Sequence, residues 1–269
     1  MDTPNDEMSF LDHLEELRWH IIRSAVAVLL VSVVAFVCKD FIFEILFAPK
    51  KGDFITYRMF CEIGHWFGVE SAFCAEELPF SIQSRTMAGQ FSAHIWTSIW
   101  AGLIVAFPYV LYQAWLFVSP GLYEKERQVA RGFILTASLL FFLGVLFGYY
   151  LITPLSINFL GTYSVSPEVK NQIDIDSYFS VVRSAVISSG IIFELPIIIY
   201  FLTNLGIITP KAMRTYRRHA IIGVLIVAAV ITPPDVVSQL IVALPMLLLY
   251  EVSIYISAYV LKKEQNKVI

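Results

Sequence analysis

The sequence predicts an all-α integral membrane protein, with six transmembrane helices in a kinked, concave bundle, cytoplasmic termini and a short fifth helix. Three observations support this fold class. Of the 269 residues, 57% are hydrophobic and 15% are charged, and the mean hydropathy is +0.70, whereas a soluble domain is about half apolar and about a quarter charged. The apolar residues form long runs, and the basic residues collect in alternate loops between them.

Six apolar runs are predicted to cross the membrane, because about 20 helical residues span roughly 30 Å of hydrocarbon. The fifth run has only 14 residues between Arg218 and Pro233, which reach about 21 Å. It is therefore either buried by neighbouring helices or set beside a thinned bilayer. The predicted spans are residues 20–38, 95–118, 132–153, 179–204, 219–232 and 239–260.

Proline and glycine interrupt almost every predicted span. Membrane helices tolerate these residues only where neighbouring groups satisfy the backbone groups that they free. This pattern favours a kinked, concave bundle over straight, parallel rods. The interrupting residues are Pro108, Gly144, Gly148, Gly190, Pro196, Gly223 and Pro245.

The distribution of basic residues predicts the orientation in the membrane. Twelve of the 19 lysines and arginines lie in four places: before or just inside the first span, where Arg18 and Arg23 stand, in the 119–131 and 205–218 loops, and in the C-terminal tail. The short loops of the opposite side contain only Lys170. Short cytoplasmic loops carry the excess of lysine and arginine. Both termini are therefore expected in the cytoplasm, and the long 39–94 loop outside.

Charged residues cluster where the chain enters the first span, in the stretch "HLEELR". The spacing of apolar residues over 9–19 predicts an amphipathic helix that lies on the cytoplasmic face and runs into the span. Glu15 and Arg18 could form a simple surface pair three residues apart. The alternative is that these charges form a binding site beside the bilayer.

A second acidic cluster follows the second span, in "SPGLYEKERQ" over residues 119–128. Pro120 and Gly121 predict a turn, and Tyr123 is suited to the headgroup level. Glu124 and Glu126 stand among basic residues, although a positive cytoplasmic loop does not need carboxylates. Either the loop is simply solvated, or its acidic residues bind a ligand.

Two further polar features lie at membrane depth or beside it. Glu194, in "FELP", is near the middle of the fourth predicted span, where an ionised and unpaired carboxylate costs several kcal/mol. In "TPPDVVSQ", two prolines define a tight outer turn, and Asp235 could cap the next helix. Gln239 is then a polar side chain in the first turn of that helix. These residues are either structural or part of a functional polar face.

The outer loop contains Cys61 and Cys74, thirteen residues apart. A disulfide is plausible in an oxidising compartment, and two free thiols are the alternative. The sequence lacks GxSxG, HExxH, Walker A and GxGxxG motifs and has no His/Cys cluster with metal-ligand spacing. No enzymatic activity, cofactor or metal is therefore expected.

In order along the chain, these motifs resemble the TatC family, the multispanning subunits of the twin-arginine protein translocase. "HLEELR" is similar to the family's amino-terminal signature, and "YQAWLFVSPGLYEKER" is similar to its first cytoplasmic loop with the preceding helix end. "FELP" and "TPPDVVSQ" resemble its fourth-span and outer-turn motifs. The resemblance covers nearly the whole chain and implies a single TatC-like transmembrane domain over residues 1–269.

The resemblance implies a receptor in the cell inner membrane. Such proteins bind the twin-arginine signal peptides of folded precursors and assemble with TatA/TatB-like single-span subunits for export driven by the proton-motive force. By position, Glu16 and Glu126 face the two arginines. The other implied signal-peptide residues are Arg18, Phe117, Leu122, Tyr123 and Arg127, and the implied polar, partner-contact residues are Tyr149, Glu194, Thr232, Asp235 and Gln239.

A second hypothesis treats the chain as a proton- or ion-coupled secondary transporter that uses Glu194 as the carrier. An ionisable side chain inside a membrane span commonly marks an ion pathway. Against this hypothesis, the sequence shows no internal or inverted repeat of the kind from which many transporters are built.

Overall fold

The computed structural model describes the backbone of residues 10–66, 74, 78–119, 130–166, 168–232 and 236–268. These residues are almost entirely helical. The helices are α1 (Phe10–Val37), α2 (Lys39–Phe47), α3 (Ile55–Trp66), α4 (Gly89–Val118), α5 (Ala130–Phe147), α6 (Thr153–Thr162), α7 (Ile175–Phe193), α8 (Leu195–Asn204), α9 (Pro210–Thr215), α10 (Arg217–Ile231) and α11 (Val236–Val268). A 3₁₀ turn covers Ala48–Lys50, and two short strands are β1 (Ser81–Gln83) and β2 (Gln172–Asp174).

Within the described ranges, five helical stretches are long and apolar enough to cross a membrane. They coincide with five of the six predicted spans, so the predicted class of helical membrane protein is confirmed. The stretches are Leu14–Val37, Gly89–Val118, Gly132–Thr162, Ile175–Asn204 and Ser238–Lys262.

Helix α10 corresponds to the predicted short fifth span. Its 15 residues rise only about 22 Å. Val224 and Ala228 are buried against the rest of the chain, whereas Ile222, Ile226 and Val230 form an exposed apolar stripe four residues apart. Of the two explanations for a short span, the exposed stripe supports lipid contact along one side of the helix.

Several predicted boundaries differ from the observed ones. The amphipathic 9–19 segment and the first span are one uninterrupted helix, α1. Helix α7 begins at Ile175, four residues before the predicted start, because the Asp174 side chain accepts a hydrogen bond from the Asp176 N–H and caps the helix. The third span continues past the predicted end at residue 153, since Pro154 lies in the first turn of α6, where a missing N–H costs little.

The 39–94 segment was expected to be a loop, and the structure corrects this. It contains α2, the 3₁₀ turn, α3 and β1, which pairs in parallel with β2 from Ser81 opposite Gln172 to Gln83 opposite Asp174. Its aromatic side chains pack on the rest of their own unit, as where Phe43 and Phe47 of α2 meet Phe179 of α7. A count of charges alone therefore missed ordered structure in this segment.

The chain divides into two compact units, the first comprising Met1–Lys39 and His94–Ser138. Here α1 and α4 pack antiparallel. His94 stacks on Phe36 near one end, with ring centroids 3.9 Å apart. A Cβ at Gly102 would lie 2.8 Å from the backbone nitrogen of Ser32, so glycine allows the two helices to approach closely midway.

The second unit comprises Asp40–Ala93 and Leu139–Ile269. Its apolar core joins the π-helical turn Gly148–Ile152 with α7, α10 and α11, and the fully buried members include Ile152, Ala185 and Ala228. Helices α8 and α11 are also joined by a buried hydrogen bond of 2.8 Å between the hydroxyls of Thr203 and Ser257.

Two irregular turns interrupt the regular α-helical hydrogen bonding in the long helical stretches of this unit. At the π-helical turn, the Thr153 N–H bonds to the Gly148 carbonyl, one residue further back than in an α-helix. Between α7 and α8, the Glu194 N–H donates to the Ile191 carbonyl at 3.1 Å, a bond over three residues instead of four. Pro196 follows in the first turn of α8 and has no N–H to donate. Pro108 and Pro245 lie inside α4 and α11, as the prediction of kinked spans requires.

Candidate functional site

The first candidate site is the start of α1. Glu16 and Arg18 are both exposed. Within the described part of the chain, the only ion pair joins Arg217 to Glu251, so the predicted surface pair between Glu15 and Arg18 is not formed. Glu16 is therefore available to an incoming cation.

A partly buried polar chain lies one turn after Glu16 and fixes α1 on α4. His20 Nδ1 is 2.7 Å from Gln113 Oε1, and Gln113 Nε2 donates to the Tyr109 hydroxyl at 2.8 Å. Gln113 is only 4% exposed, and the rings of His20 and Phe117 meet edge to face at 6.4 Å. Because the amide of Gln113 bonds on both sides, this chain sets the height of α1 along α4.

The hydrogen bonds that join His20, Gln113 and Tyr109 were not predicted from the sequence. The signal was a glutamine well inside an apolar span, since a buried amide requires partners. Of the predicted signal-peptide residues, Glu16, Arg18 and Phe117 are on described helices. Leu122, Tyr123, Glu126 and Arg127 lie outside the described residues, as do Glu124 and, in the outer turn, Asp235.

In the second unit, Glu194 occupies the break between α7 and α8. Its Oε1 atom is buried and has no hydrogen-bond partner among the described residues. Arg183, earlier on α7, likewise has a buried Nη1 atom without such a partner. Both groups lie within a candidate span, where an unsatisfied polar atom is costly. Glu194 is therefore the described carboxylate most in need of a polar contact.

The other predicted polar residues make structural hydrogen bonds to backbone carbonyls. The Tyr149 hydroxyl donates to Ile45 at 2.7 Å, Thr232 donates to Ala228 at 2.8 Å, and Gln239 Nε2 donates to Leu225 at 3.0 Å. Thr232 and Gln239 thus both bond to α10, whereas Tyr149 bonds to α2.

The ion pair between Arg217 and Glu251 lies at the predicted cytoplasmic loop and was not predicted. Arg217 Nε is 2.7 Å from Glu251 Oε1, and its Nη2 is 2.8 Å from Oε2. This two-pronged geometry uses both carboxylate oxygens, as arginine favours. The pair joins the first residue of α10 to the middle of α11.

The segment between α1 and α4, which is predicted to lie outside, carries Cys61 and Cys74. Cys61 and Cys74 form a disulfide with Cα atoms 5.0 Å apart, and His65 Nε2 lies 3.9 Å from the sulfur of Cys74. These three residues are close enough to one another to hold a metal ion. With both sulfurs in the disulfide, however, only the imidazole of His65 remains as a ligand.

Tyr57 anchors the same segment outside the candidate spans. Its hydroxyl lies 3.0 Å from the Pro49 carbonyl and 2.9 Å from the Pro154 carbonyl, and donates toward both. The side chain is almost completely buried, and burial raises the pKa of the Tyr57 phenol above its ordinary value.

Together, these observations define a multi-pass helical membrane protein. Its Glu16 carboxylate is exposed near the start of α1, and most of its buried polar groups form hydrogen bonds that hold helices together. Comparison with known proteins identifies the family. Residues 12–245 match the model of the family described as Sec-independent protein translocase protein (TatC). The chain belongs to this family.

Named relatives support the assignment over the full length. A Sec-independent protein translocase protein TatC of Blattabacterium sp. subsp. Periplaneta americana is 41% identical over 266 residues, covering 98% of this chain and 100% of that protein. The TatC of Aquifex aeolicus is 34% identical over 260 residues, covering 96% of this chain and 98% of that protein.

A crystal structure of the twin arginine translocase receptor TatC is also similar. It has a TM-score of 0.68 and 32% identity, and the match covers 92% of this chain and 99% of that one. The chain is therefore a component of a protein translocase. The transporter hypothesis, with Glu194 as an ion carrier, has no support from these relatives.

Proposed function

We propose that this chain is the core receptor subunit of a twin-arginine translocase in the cell inner membrane. In this role it binds the twin-arginine signal peptides of folded precursors from the cytoplasmic side. It then assembles with TatA/TatB-like single-span subunits for export driven by the proton-motive force. The distribution of lysine and arginine supports cytoplasmic termini.

The observation that carries the proposal is that Glu16, in a chain of this family, is exposed and unpaired among the described residues. The carboxylate is exposed, forms no ion pair with a described side chain, and sits on the part of α1 that the His20–Gln113 bond holds against α4. Helix α4 ends at Val118, and Glu126 follows eight residues later. Both carboxylates are thus attached to the ends of two helices that pack together.

The chemistry suits recognition of two arginines. A guanidinium presents a planar fork that can bond both oxygens of a carboxylate, whereas an ammonium acts as a compact point charge. Two acidic positions, Glu16 and Glu126, can each bind one arginine. Arg18, Phe117, Leu122, Tyr123 and Arg127 complete the proposed peptide site. Its place beside the bilayer suits a ligand with an apolar segment next to its arginines.

The proposed partner surface is the polar set of the second unit, in which Glu194 is central. Its buried, unsatisfied oxygen supports a role in which a partner helix supplies a donor. Tyr149, Thr232 and Gln239 bond to backbone carbonyls, and Asp235 immediately precedes α11 in the sequence. In this proposal they shape the surface and Glu194 provides its polar contact.

The test is binding of a labelled twin-arginine signal peptide and its Lys-Lys counterpart to the purified chain in detergent. Removing a charge-assisted hydrogen bond costs about 1.5–3 kcal/mol, so E16A and E126A should each weaken binding of the arginine peptide by about tenfold or more. The neighbouring variants E15A and E124A remove the same charge and should bind normally.

Size-exclusion profiles should confirm that all four variants remain folded. Wild-type affinity in E16A and E126A, or equal binding of the two peptides, would contradict the proposed site. If the purified chain binds neither peptide, the measurement is repeated with the co-expressed single-span partner. Binding restored by that partner supports a composite site, and continued absence of binding rejects the receptor role.

A further inference from the structure

An open surface cavity of about 810 Å³ lies where α9 meets the end of α11, and its basic lining residues are exposed. Lys211 and Arg214 of α9 and Lys262 of α11 line it. The short helix is held in place because the Tyr250 hydroxyl of α11 donates to the Met213 carbonyl at 2.8 Å. The cavity is thus part of the packing between two helices of one unit.

The charge in this cavity is uncompensated. No carboxylate is among the described lining residues. Lys211, Arg214 and Lys262 form no ion pair with any described residue, the one described ion pair being elsewhere. The nearby carboxylate of Glu251 is already bound to Arg217. Three cations around one cavity repel one another, and an anion between them would remove that repulsion.

The remaining lining residues add a donor and an apolar wall. The Thr209 hydroxyl oxygen accepts a hydrogen bond from the Ala212 N–H at 3.2 Å, which leaves its own hydrogen available to a ligand oxygen. Thr215 instead donates to the Lys211 carbonyl at 3.0 Å. Ala258 and Leu261 of α11 form the apolar side of the cavity.

The position of the cavity relative to the membrane indicates the kind of ligand. Lys262 is the last residue of the candidate span Ser238–Lys262, so the cavity lies at a membrane surface. Tyr216 and Tyr259 are 61% and 69% exposed near the same level, as is typical of the aromatic belt at the headgroups. A ligand with its anionic group here and its apolar part along α11 matches these surroundings.

We propose that this cavity binds the phosphate-bearing headgroup of an anionic phospholipid. The phosphate lies among Lys211, Arg214 and Lys262, with the Thr209 hydroxyl as an additional donor, and the acyl chains follow the apolar side of α11. Basic pockets beside membrane helices recognise anionic headgroups through this combination of charge and position. A lipid bound here would secure α9 between the preceding loop and α11.

The test uses the full chain purified in a non-ionic detergent and titrated with short-chain phosphatidylglycerol, phosphatidylcholine or inorganic phosphate. Native mass spectrometry counts bound lipid, and thermal unfolding gives an independent measure because a ligand of the folded state raises the melting temperature. Phosphatidylglycerol should bind and stabilise, phosphatidylcholine should do so at least tenfold more weakly, and inorganic phosphate should have little effect.

The variant K211Q/R214Q/K262Q should lose at least tenfold in apparent affinity for phosphatidylglycerol. The control R58Q/K170Q/R218Q removes the same charge at exposed positions outside the cavity and should bind as the wild type. If the triple cavity variant does not fold, K262Q alone should weaken binding several-fold. Equal losses in the cavity and control variants, or equal stabilisation by inorganic phosphate, would overturn the proposal.

Discussion

At the scale of single residues, Tyr57 connects three parts of the second unit through one hydroxyl. It stands on α3 and reaches the carbonyl of Pro49 in the 3₁₀ turn and that of Pro154 in α6. Two neighbouring hydrogen bonds also join the 40–66 segment to the long helical stretches. Thr56 donates to the Tyr150 carbonyl, and Tyr178 donates to the Leu46 carbonyl at 3.0 Å. Tyrosine and threonine hydroxyls thus attach the 40–66 segment to the long helices.

The variant Y57F should destabilise the protein, because it removes the one buried O–H that the carbonyls of Pro49 and Pro154 share. The expected cost is about 1–3 kcal/mol, seen as a melting temperature lower by several degrees in detergent. Y163F is the matched control, since Tyr163 is 62% exposed, and it should melt as the wild type. An unchanged melting temperature in Y57F would show that the hydroxyl contributes nothing to stability.

Tyr57 also makes the folding stability depend on pH, with a direction that follows from its raised pKa. Burial raises the pKa of Tyr57 in the folded state, so the folded protein retains the phenol proton at pH values where the unfolded chain releases it. This contribution to stability is complete below the unfolded pKa of about 10. It decreases as pH rises from there through the higher folded pKa, so alkaline unfolding should be steeper in the wild type than in Y57F.

Residue types alone could predict some polar positions but not their partners. The depth of Glu194 in its span follows from the hydropathy of the sequence. The bond from His20 to Gln113 does not, because the two residues are 93 positions apart and only the packing of α1 on α4 brings them together. The roles assigned to Glu16 and Glu126 remain predictions.

At the scale of helices, Gly148 begins the π-helical turn and is also a point at which this turn closely approaches α7. A Cβ at Gly148 would lie 2.6 Å from the Ala185 carbonyl oxygen and 2.8 Å from the Val186 Cα. Both are backbone atoms of α7, which cannot move aside as a flexible side chain would. Gly148 therefore determines how closely α7 can pack on the π-helical turn.

The variant G148A should be destabilised by about 1–3 kcal/mol, the usual cost of overpacking a core. Thermal unfolding in detergent measures the effect. G223A is the control, because a Cβ at Gly223 meets no atom within 4 Å, and alanine there should be neutral or stabilise α10 by up to about 1 kcal/mol. Equal stability of G148A and wild type would contradict the close packing.

The sequence predicted the existence of the helices better than their ends. Hydropathy identifies spans because lipid requires about 20 apolar residues in succession. It does not reveal that α7 starts at a cap formed by Asp174, or that α6 continues the third span beyond Pro154. The helices of the 39–66 segment were missed because their apolar faces are short and mixed with charges.

At the scale of the whole molecule, the predicted orientation places the 163–174 connection outside and the 205–216 connection in the cytoplasm. In a C38S background, single cysteines introduced as V169C and A212C report the two sides, since both positions are exposed. A membrane-impermeant thiol reagent added to intact cells should label V169C and leave A212C unlabelled until the membrane is permeabilised.

Two controls belong to the same labelling experiment. The C38S parent should not react, because Cys61 and Cys74 are joined in the disulfide. Reduction before labelling should make that pair reactive. Labelling of A212C but not V169C in intact cells would reverse the proposed orientation, and labelling of the unreduced parent would show that the two thiols are free.

The short helix α10 also affects the lipids around it. Its whole length of about 22 Å, which includes Arg217 and Arg218, is about 8 Å less than the hydrocarbon thickness of a typical bilayer. Each ångström of mismatch costs a fraction of a kcal/mol. We therefore expect lipids along the exposed Ile222, Ile226 and Val230 to be compressed. The elastic cost of such compression grows with the length of the deformed boundary. Bringing two such boundaries together shortens their combined length. We therefore expect the bilayer itself to favour association on the α10 side, before any protein contact forms.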